Sequence, residues 1–135
     1  MNITFVTFKT QFEGVHCYPD APSEVCYLRN PHRHMFYVEV EMEVFHDDRE
    51  VEFIMAKHRL EEFIETDRVV NFGTQSCEMI AKEIQTHFKK LYPIPNSQTH
   101  NRDPYSRLVN VRVSEDGENG VYLMEVRNEG KDISA

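Results

Sequence analysis

A strictly alternating segment constrains the fold of this chain more than any other feature. From Met35 to His46, apolar and acidic residues take opposite parities. The apolar positions are Phe36, Val38, Val40, Met42 and Val44, and the acidic positions are Glu39, Glu41 and Glu43. Because successive side chains of a strand point to opposite faces, the pattern predicts a half-buried antiparallel strand with a solvated outer face.

Two histidines stand directly before this alternation. His32 and His34 are two residues apart and share the parity of the apolar face, so both imidazoles are expected on the same side of an extended chain. A metal ion is what converging imidazoles most often share. The alternative is a pair of structural histidines with ordinary hydrogen-bond partners, because a spacing this short also arises by chance.

The other periodicities give the element order strand, strand, helix, helix, strand, strand. Residues 3–16 alternate as a first strand, and residues 17–31 are predicted as a proline-containing loop. A shorter and a longer amphipathic helix follow, the longer one with Ser76 as its predicted N-cap. After a polar loop at 95–106, residues 109–126 alternate around "EDGENG" as a hairpin. We therefore predict an α+β fold, a four-stranded antiparallel sheet with two helices on one face.

Composition narrows the class of protein. The 135 residues suit one domain, with a core at about 3–126 and a frayed tail at 128–135. Fifteen basic against 23 acidic residues argue against a nucleic-acid partner. The apolar runs are too short to span a bilayer, and "MNITFVTFKT" lacks the features of a secretory signal. Three cysteines without paired spacing predict free thiols in a reducing cytoplasm.

Four separated segments resemble the motifs of one family. "FEGVH" at 12–16 resembles F-x-A-x-H at the end of a first strand, and "CYLRNPHRHMF" at 26–36 resembles a cysteine followed by H-G-H and an aromatic residue. "QSCEMIA" at 75–81 resembles P-T-[ST]-E at the start of a second helix, and "VRVSE" at 111–115 resembles V-x-V-x-E. In motifs and element order, the chain resembles the 6-pyruvoyltetrahydropterin synthase and 6-carboxytetrahydropterin synthase family over roughly residues 3–126.

The resemblance implies a fold, a cofactor and a reaction. Family members have the T-fold, whose sheets join edge to edge into a β-barrel ring of a homo-oligomer, a trimer or a hexamer. They are zinc-dependent lyases that act on 7,8-dihydroneopterin triphosphate in deazapurine (queuosine) or tetrahydropterin biosynthesis. Zinc polarises the substrate side chain there, which acidifies its C–H bonds and favours loss of phosphate.

The family's functional residues carry over to named positions of this chain. The resemblance implies that His16, His32 and His34 are the zinc ligands and leave a fourth position open for substrate. Cys26 would be the general base, and Glu115 would accept hydrogen bonds from the guanidine-like edge of the pterin. The residues expected beside the pterin are Ser76, Cys77 and Glu78.

The proton-relay segment departs from the family pattern. Where members have L-D-H-x-x-L-N between the helices, this chain has "TDRVVN", in which Asp67 aligns with the acid and Arg68 replaces the histidine. Two hypotheses follow. The first is a zinc-dependent lyase with altered proton transfer, and the second is a catalytically silent T-fold module that binds a pterin or purine-like ligand. An unrelated α+β metal-binding domain is a third.

Each assigned residue also has a purely structural interpretation. Cys26 is equally typical of a small buried hydrophobe. Glu115 also suits the opening of the "SEDGENG" turn, and Asp67 suits a solvated carboxylate after a helix. The three glutamates of the alternating strand are predicted to be a solvated face.

Overall fold

Two long antiparallel strands form the centre of the structure, a computed structural model that describes residues 1–94 and 106–127. β1 (Thr4–His16) and β2 (His32–Val44) pair along their whole length, from Thr4 opposite Val44 to His16 opposite His32. Three shorter strands extend this pair: β3 (Val70–Gly73) beside the end of β1, β4 (Val109–Glu115) beside β2, and β5 (Asn119–Leu123) beside β4. The order across the sheet is therefore β3-β1-β2-β4-β5, with β3 and β5 at its open edges.

Two α-helices supply the second layer. α1 (Phe53–Ile64) begins at Glu52, whose carboxylate accepts hydrogen bonds from two backbone amides of the first turn. α2 (Cys77–Leu91) begins at Ser76, whose hydroxyl accepts a hydrogen bond from the amide of Met79 at 3.2 Å. Ser76 is therefore the N-cap that the sequence predicts. No helix among the described residues combines the length and the apolar composition needed to cross a membrane.

The apolar parity of the strands meets both helices in one core. In β2, Phe36, Val40 and Met42 are fully buried, as the alternation predicts. The other members of the core cluster in β1, α1, α2 and β4 are Phe8, Phe12, Ala56, Leu60, Ile64, Cys77, Ile80, Ala81, Ile84, Phe88, Val109, Val111 and Val113. The predicted α+β architecture is confirmed at this level, since the sheet carries its helices on its apolar face.

The sheet differs from the prediction at β3. Four antiparallel strands were expected, whereas the described residues form five, and β3 runs parallel to β1, so that the sheet is mixed. β3 has four residues, of which only Val70 and Phe72 are half-buried, and so short a run carries no usable alternation. The predicted loop at 17–31 also contains a 3-10 helix at Ser23–Arg29.

Two predicted segments lie outside the described residues. The polar loop predicted at 95–106 falls there except for Ser106. The predicted tail at 128–135 falls there entirely.

One glutamate of β2 is buried rather than solvated. The side chain of Glu43 accepts hydrogen bonds from the backbone amide of Leu108 at 3.0 Å and from the guanidinium of Arg127. Both partners lie more than sixty residues further along the chain. The alternation of β2 is as predicted, but Leu108 and Arg127 cover the end of the strand at Glu43.

A buried ion pair joins Arg107, the residue before Leu108, to Glu50 in the loop after β2. Arg107 is 4% exposed and donates to a carboxylate oxygen of Glu50 at 2.7 Å and to the backbone oxygen of Glu43 at 2.7 Å. Burial by itself would raise the pKa of Glu50, but hydrogen bonds from the amide of Phe45 and from Arg107 lower it. The pair therefore stabilises the fold above the ordinary pKa of glutamate, and this contribution is lost as pH falls through the lowered value.

Replacing Arg107 by leucine should destabilise the protein by about 3–5 kcal/mol, because Glu50 would be left as a buried, unpaired charge. Urea unfolding at neutral pH measures this, and the deficit should shrink in acid. Arg49→Leu is the matched control, since Arg49 pairs with Asp48 at the surface, where both side chains are more than 80% exposed. A change below about 0.5 kcal/mol is expected there. Equal effects of the two substitutions would contradict this role of Arg107.

Candidate metal centre

Three histidines meet at one end of the central strand pair. His16 is the last residue of β1, and the antiparallel register places it directly opposite His32 at the start of β2. His34 follows on the same face, and the ring centroids of the three residues are 4.6, 5.0 and 5.7 Å apart. One ligating nitrogen from each ring lies within 4.8 Å of the others, so the group can hold a metal ion.

Each of these imidazoles has an oxygen acceptor at Nδ1. Nδ1 of His16 lies 2.9 Å from the backbone oxygen of Gln75, and Nδ1 of His32 lies 2.9 Å from the backbone oxygen of Asn30. Nδ1 of His34 lies 2.7 Å from a carboxylate oxygen of Asp116. A carbonyl or carboxylate oxygen only accepts, so each Nδ1 carries a proton, and in the neutral imidazole the lone pair is then on Nε2. Metal-binding histidines have this arrangement of outer partners.

The Nε2 atoms of the histidines indicate whether these residues fit a metal. Nε2 of His16 and Nε2 of His34 are buried and have no hydrogen-bond partner. Buried polar atoms without partners are rare and costly. A metal ion bound by both lone pairs would satisfy them, and three imidazole nitrogens are a normal donor set for zinc. The residues therefore fit the metal that the sequence predicts.

A carboxylate lies against the same two nitrogens. Oε2 of Glu115 is 2.7 Å from Nε2 of His16, and Oε1 is 3.6 Å from Nε2 of His34. Neither contact has the geometry of a hydrogen bond. Two lone pairs at this distance repel each other unless a proton or a shared metal ion is bound by them. The carboxylate thus adds negative charge where a metal would sit.

A cavity of ≈ 760 Å³ opens beside the histidines. His16 and His32 form part of its wall, together with Glu115 at the end of β4. The turn into α2 forms another part, with Ser76, Cys77 and Glu78. The structure therefore brings the predicted metal ligands and the predicted substrate-binding residues to one place.

Cys77 in this cavity is a neutral thiol. It is the first residue of α2, and its Sγ donates to Oε2 of Glu115 at 3.8 Å. Burial, followed by the negative charge of Glu115, raises the pKa of the Cys77 thiol to about 12. At neutral pH this thiol is a weak hydrogen-bond donor to the carboxylate and has no thiolate character.

The two predicted catalytic residues lie elsewhere in the single chain. Cys26 is exposed in the 3-10 helix and is not among the described residues that line the cavity. Asp67 lies before β3, at the opposite end of that strand from His16, and lines a separate surface depression with His58 and Arg68. Their roles stay predictions.

Several contributors to the site were missed by sequence reasoning. Gln75 and Asn30 act through backbone oxygens, which no side-chain pattern reveals. Asp116 had a usable signal, because it directly follows Glu115 at a hairpin turn, where its φ of 58° suits an aspartate. Cys17 follows His16 and lines the cavity, although no motif marks it. Comparison with models of known families and with curated proteins gives no match to this chain.

A graded series of variants tests the metal centre. The protein purified without added metal should contain one zinc per chain, and His32→Ala combined with His34→Ala should remove it. Asp116→Asn should keep the zinc but weaken its affinity about 10–100-fold, because the outer partner of His34 loses its charge. Elemental analysis and chelator competition measure the two effects. Stoichiometric zinc in the double variant would contradict the assignment.

Proposed function

We propose that this protein is a zinc-dependent lyase of the 6-pyruvoyl- and 6-carboxytetrahydropterin synthase type, acting on 7,8-dihydroneopterin triphosphate in pterin or deazapurine (queuosine) biosynthesis. The observation that carries the proposal is the state of the three histidines. Their Nδ1 atoms all donate to oxygens, and the Nε2 atoms of His16 and His34 lack hydrogen-bond partners beside a cavity. The four sequence motifs are the basis for proposing this family, and the proposal includes a cytoplasmic location.

The residues of the cavity divide the binding work. His16, His32 and His34 would hold zinc, and bound zinc would supply Lewis-acid polarisation of the substrate's side-chain oxygens. Glu115 would accept hydrogen bonds from paired N–H donors of the pterin ring. Ser76, Cys77 and Glu78 lie in the same wall and would contact the ring edge.

Assembly through the sheet edges is part of the proposal. β3 pairs with β1 only from Gly14 to His16, so the outer edge of β1 from Thr4 to Glu13 has no strand partner among the described residues. β5 leaves a second open edge. Unpaired edges in natural proteins are usually blocked or paired, which favours a homo-oligomeric ring, a trimer or a hexamer. Such a ring would let Cys26 and Asp67 serve the cavity of a neighbouring subunit.

Light scattering at micromolar concentration should therefore give the mass of three or six chains. Proline substitutions at exposed, outward-facing positions of β1 should shift the mass toward one chain, because proline removes a donor from the pairing edge. Lys9→Pro is such a change, and Lys9→Ala is its control. A monomeric wild-type protein would refute the ring.

A catalytically silent module that binds the same ligand is the second candidate. Two observations favour it: Arg68 replaces the relay histidine, and Cys26 is exposed outside the described cavity wall. Arg68 lies within 3.7 Å of two surface carboxylates, Glu65 and Asp67, in a solvent-exposed cluster. Proton transfer in this chain would then have to use other groups.

Incubation of the zinc-loaded protein with 7,8-dihydroneopterin triphosphate, with products identified by mass spectrometry, separates the two candidates. We expect loss of the triphosphate. Cys26→Ala should lower turnover about 10²–10⁴-fold while zinc and ligand binding persist, since a general base acts only in the reaction step. Cys17→Ala is the comparison, because a larger loss there would move the base to Cys17. Tight binding without product in the wild type would establish the silent module.

A further inference from the structure

Glu115 occupies a position at the metal centre itself. It ends β4, opposite Phe36 of β2, and shares the parity of the buried Val111 and Val113. Its side chain therefore points to the face of the sheet that carries the three histidines. The distances of 2.7 Å to His16 and 3.6 Å to His34 join its two oxygens to the two buried nitrogens that lack hydrogen-bond partners.

The charge of Glu115 has no lysine or arginine partner in the part of the chain that the structure describes. Four other half-buried or buried glutamates of this fold pair with an arginine: Glu39 and Glu41 with Arg112, Glu43 with Arg127, and Glu50 with Arg107. Within residues 1–94 and 106–127, no lysine or arginine forms an ion pair with Glu115. Its side-chain neighbours are two imidazole nitrogens and the Sγ atom of Cys77.

The hydrogen-bond pattern favours a bound cation at this point. The Nδ1 atoms of His16 and His34 donate to oxygens of Gln75 and Asp116, so in the neutral imidazoles the lone pairs are on the two buried Nε2 atoms. A carboxylate in contact with those lone pairs is repelled unless a proton or a metal ion is bound by both groups. A metal ion bound by the histidines would attract the carboxylate directly and would accept one of its oxygens in the remaining position.

We propose that Glu115 is the fourth ligand of the metal in the ligand-free protein and must leave the metal before a substrate oxygen can bind there. This inference rests on the metal-binding part of the proposed function. It gives Glu115 two alternative partners, the metal and a ligand edge with paired N–H donors. A ligand that offers such an edge draws the carboxylate away and frees the fourth coordination position. For a ligand without this edge, Glu115 stays on the metal and the fourth position remains occupied.

Cobalt-substituted protein and azide test this directly. Co²⁺ reports its coordination by visible absorption, and azide binds a metal that has an open position. The spectrum of the wild-type Co²⁺ protein should not change with azide. Glu115→Ala and Glu115→Gln should bind Co²⁺ at least about tenfold more weakly, and their spectra should shift when azide is added. Glu118→Gln, which alters an exposed residue of the same turn, should behave as the wild type does.

The outcomes separate this inference from the proposed function. Azide binding to the wild type as tightly as to Glu115→Ala would overturn the inference and leave the zinc site standing. Azide binding to neither protein would also overturn it, because removal of a ligand must open the metal. Absence of Co²⁺ and zinc binding in the wild type would overturn both proposals. If the Glu115 variants fail to fold by circular dichroism, an azide-induced shift in the wild type overturns the inference and an unchanged spectrum supports it.

Discussion

The register between β1 and β2 is the constraint on which the rest of this structure depends. It sets His16 opposite His32, and it also sets Phe12 opposite Phe36 in the core. A slip of one residue would turn every side chain of one strand to the other face, exposing the core and separating the imidazoles. Because the same pairing buries the aromatic residues and assembles the histidines, the stability of the core fixes the geometry of the histidine cluster.

Charge is distributed differently on the two parts of the sheet. The chain is acidic, with a formal net charge of −8, yet most carboxylates of β2 have arginine partners, as Glu41 has in Arg112. The acidic residues at the end of β4 have histidine partners instead, Glu115 at His16 and Asp116 at His34. Imidazole is a weaker counter-charge than guanidinium and can be a metal ligand. Glu115 and Asp116 thus place two carboxylates beside the histidines, and within residues 1–94 and 106–127 neither forms an ion pair with lysine or arginine.

The features that the sequence predicts correctly are those that depend on the alternation of residues along a strand and on helix N-caps. Alternation identified the buried face of β2, and the parity of His34 placed its ring with the core, as the structure has it. The features that it could not predict depend on contacts with residues far along the sequence. Glu43 has the parity of a solvated residue and is buried because Leu108 and Arg127 cover it. The oxygens that orient the histidines come partly from the backbone, where any residue type would serve, so no pattern marks them.

The aromatic rings beneath the three histidines account for the glycine at position 14, where the motif that the sequence resembles has alanine. Gly14 takes the position of the alanine in F-x-A-x-H, and a Cβ there would lie 2.8 Å from the ring of Phe36 and 3.0 Å from that of Phe72. The space that a methyl group would fill is therefore used by aromatic rings, one of them from β3. Phe36 in turn meets His16 and His34 edge to face, with centroids 5.3 and 6.0 Å apart. Because these aromatic rings offer no hydrogen bonds, they leave the buried Nε2 atoms of His16 and His34 without a partner on this side.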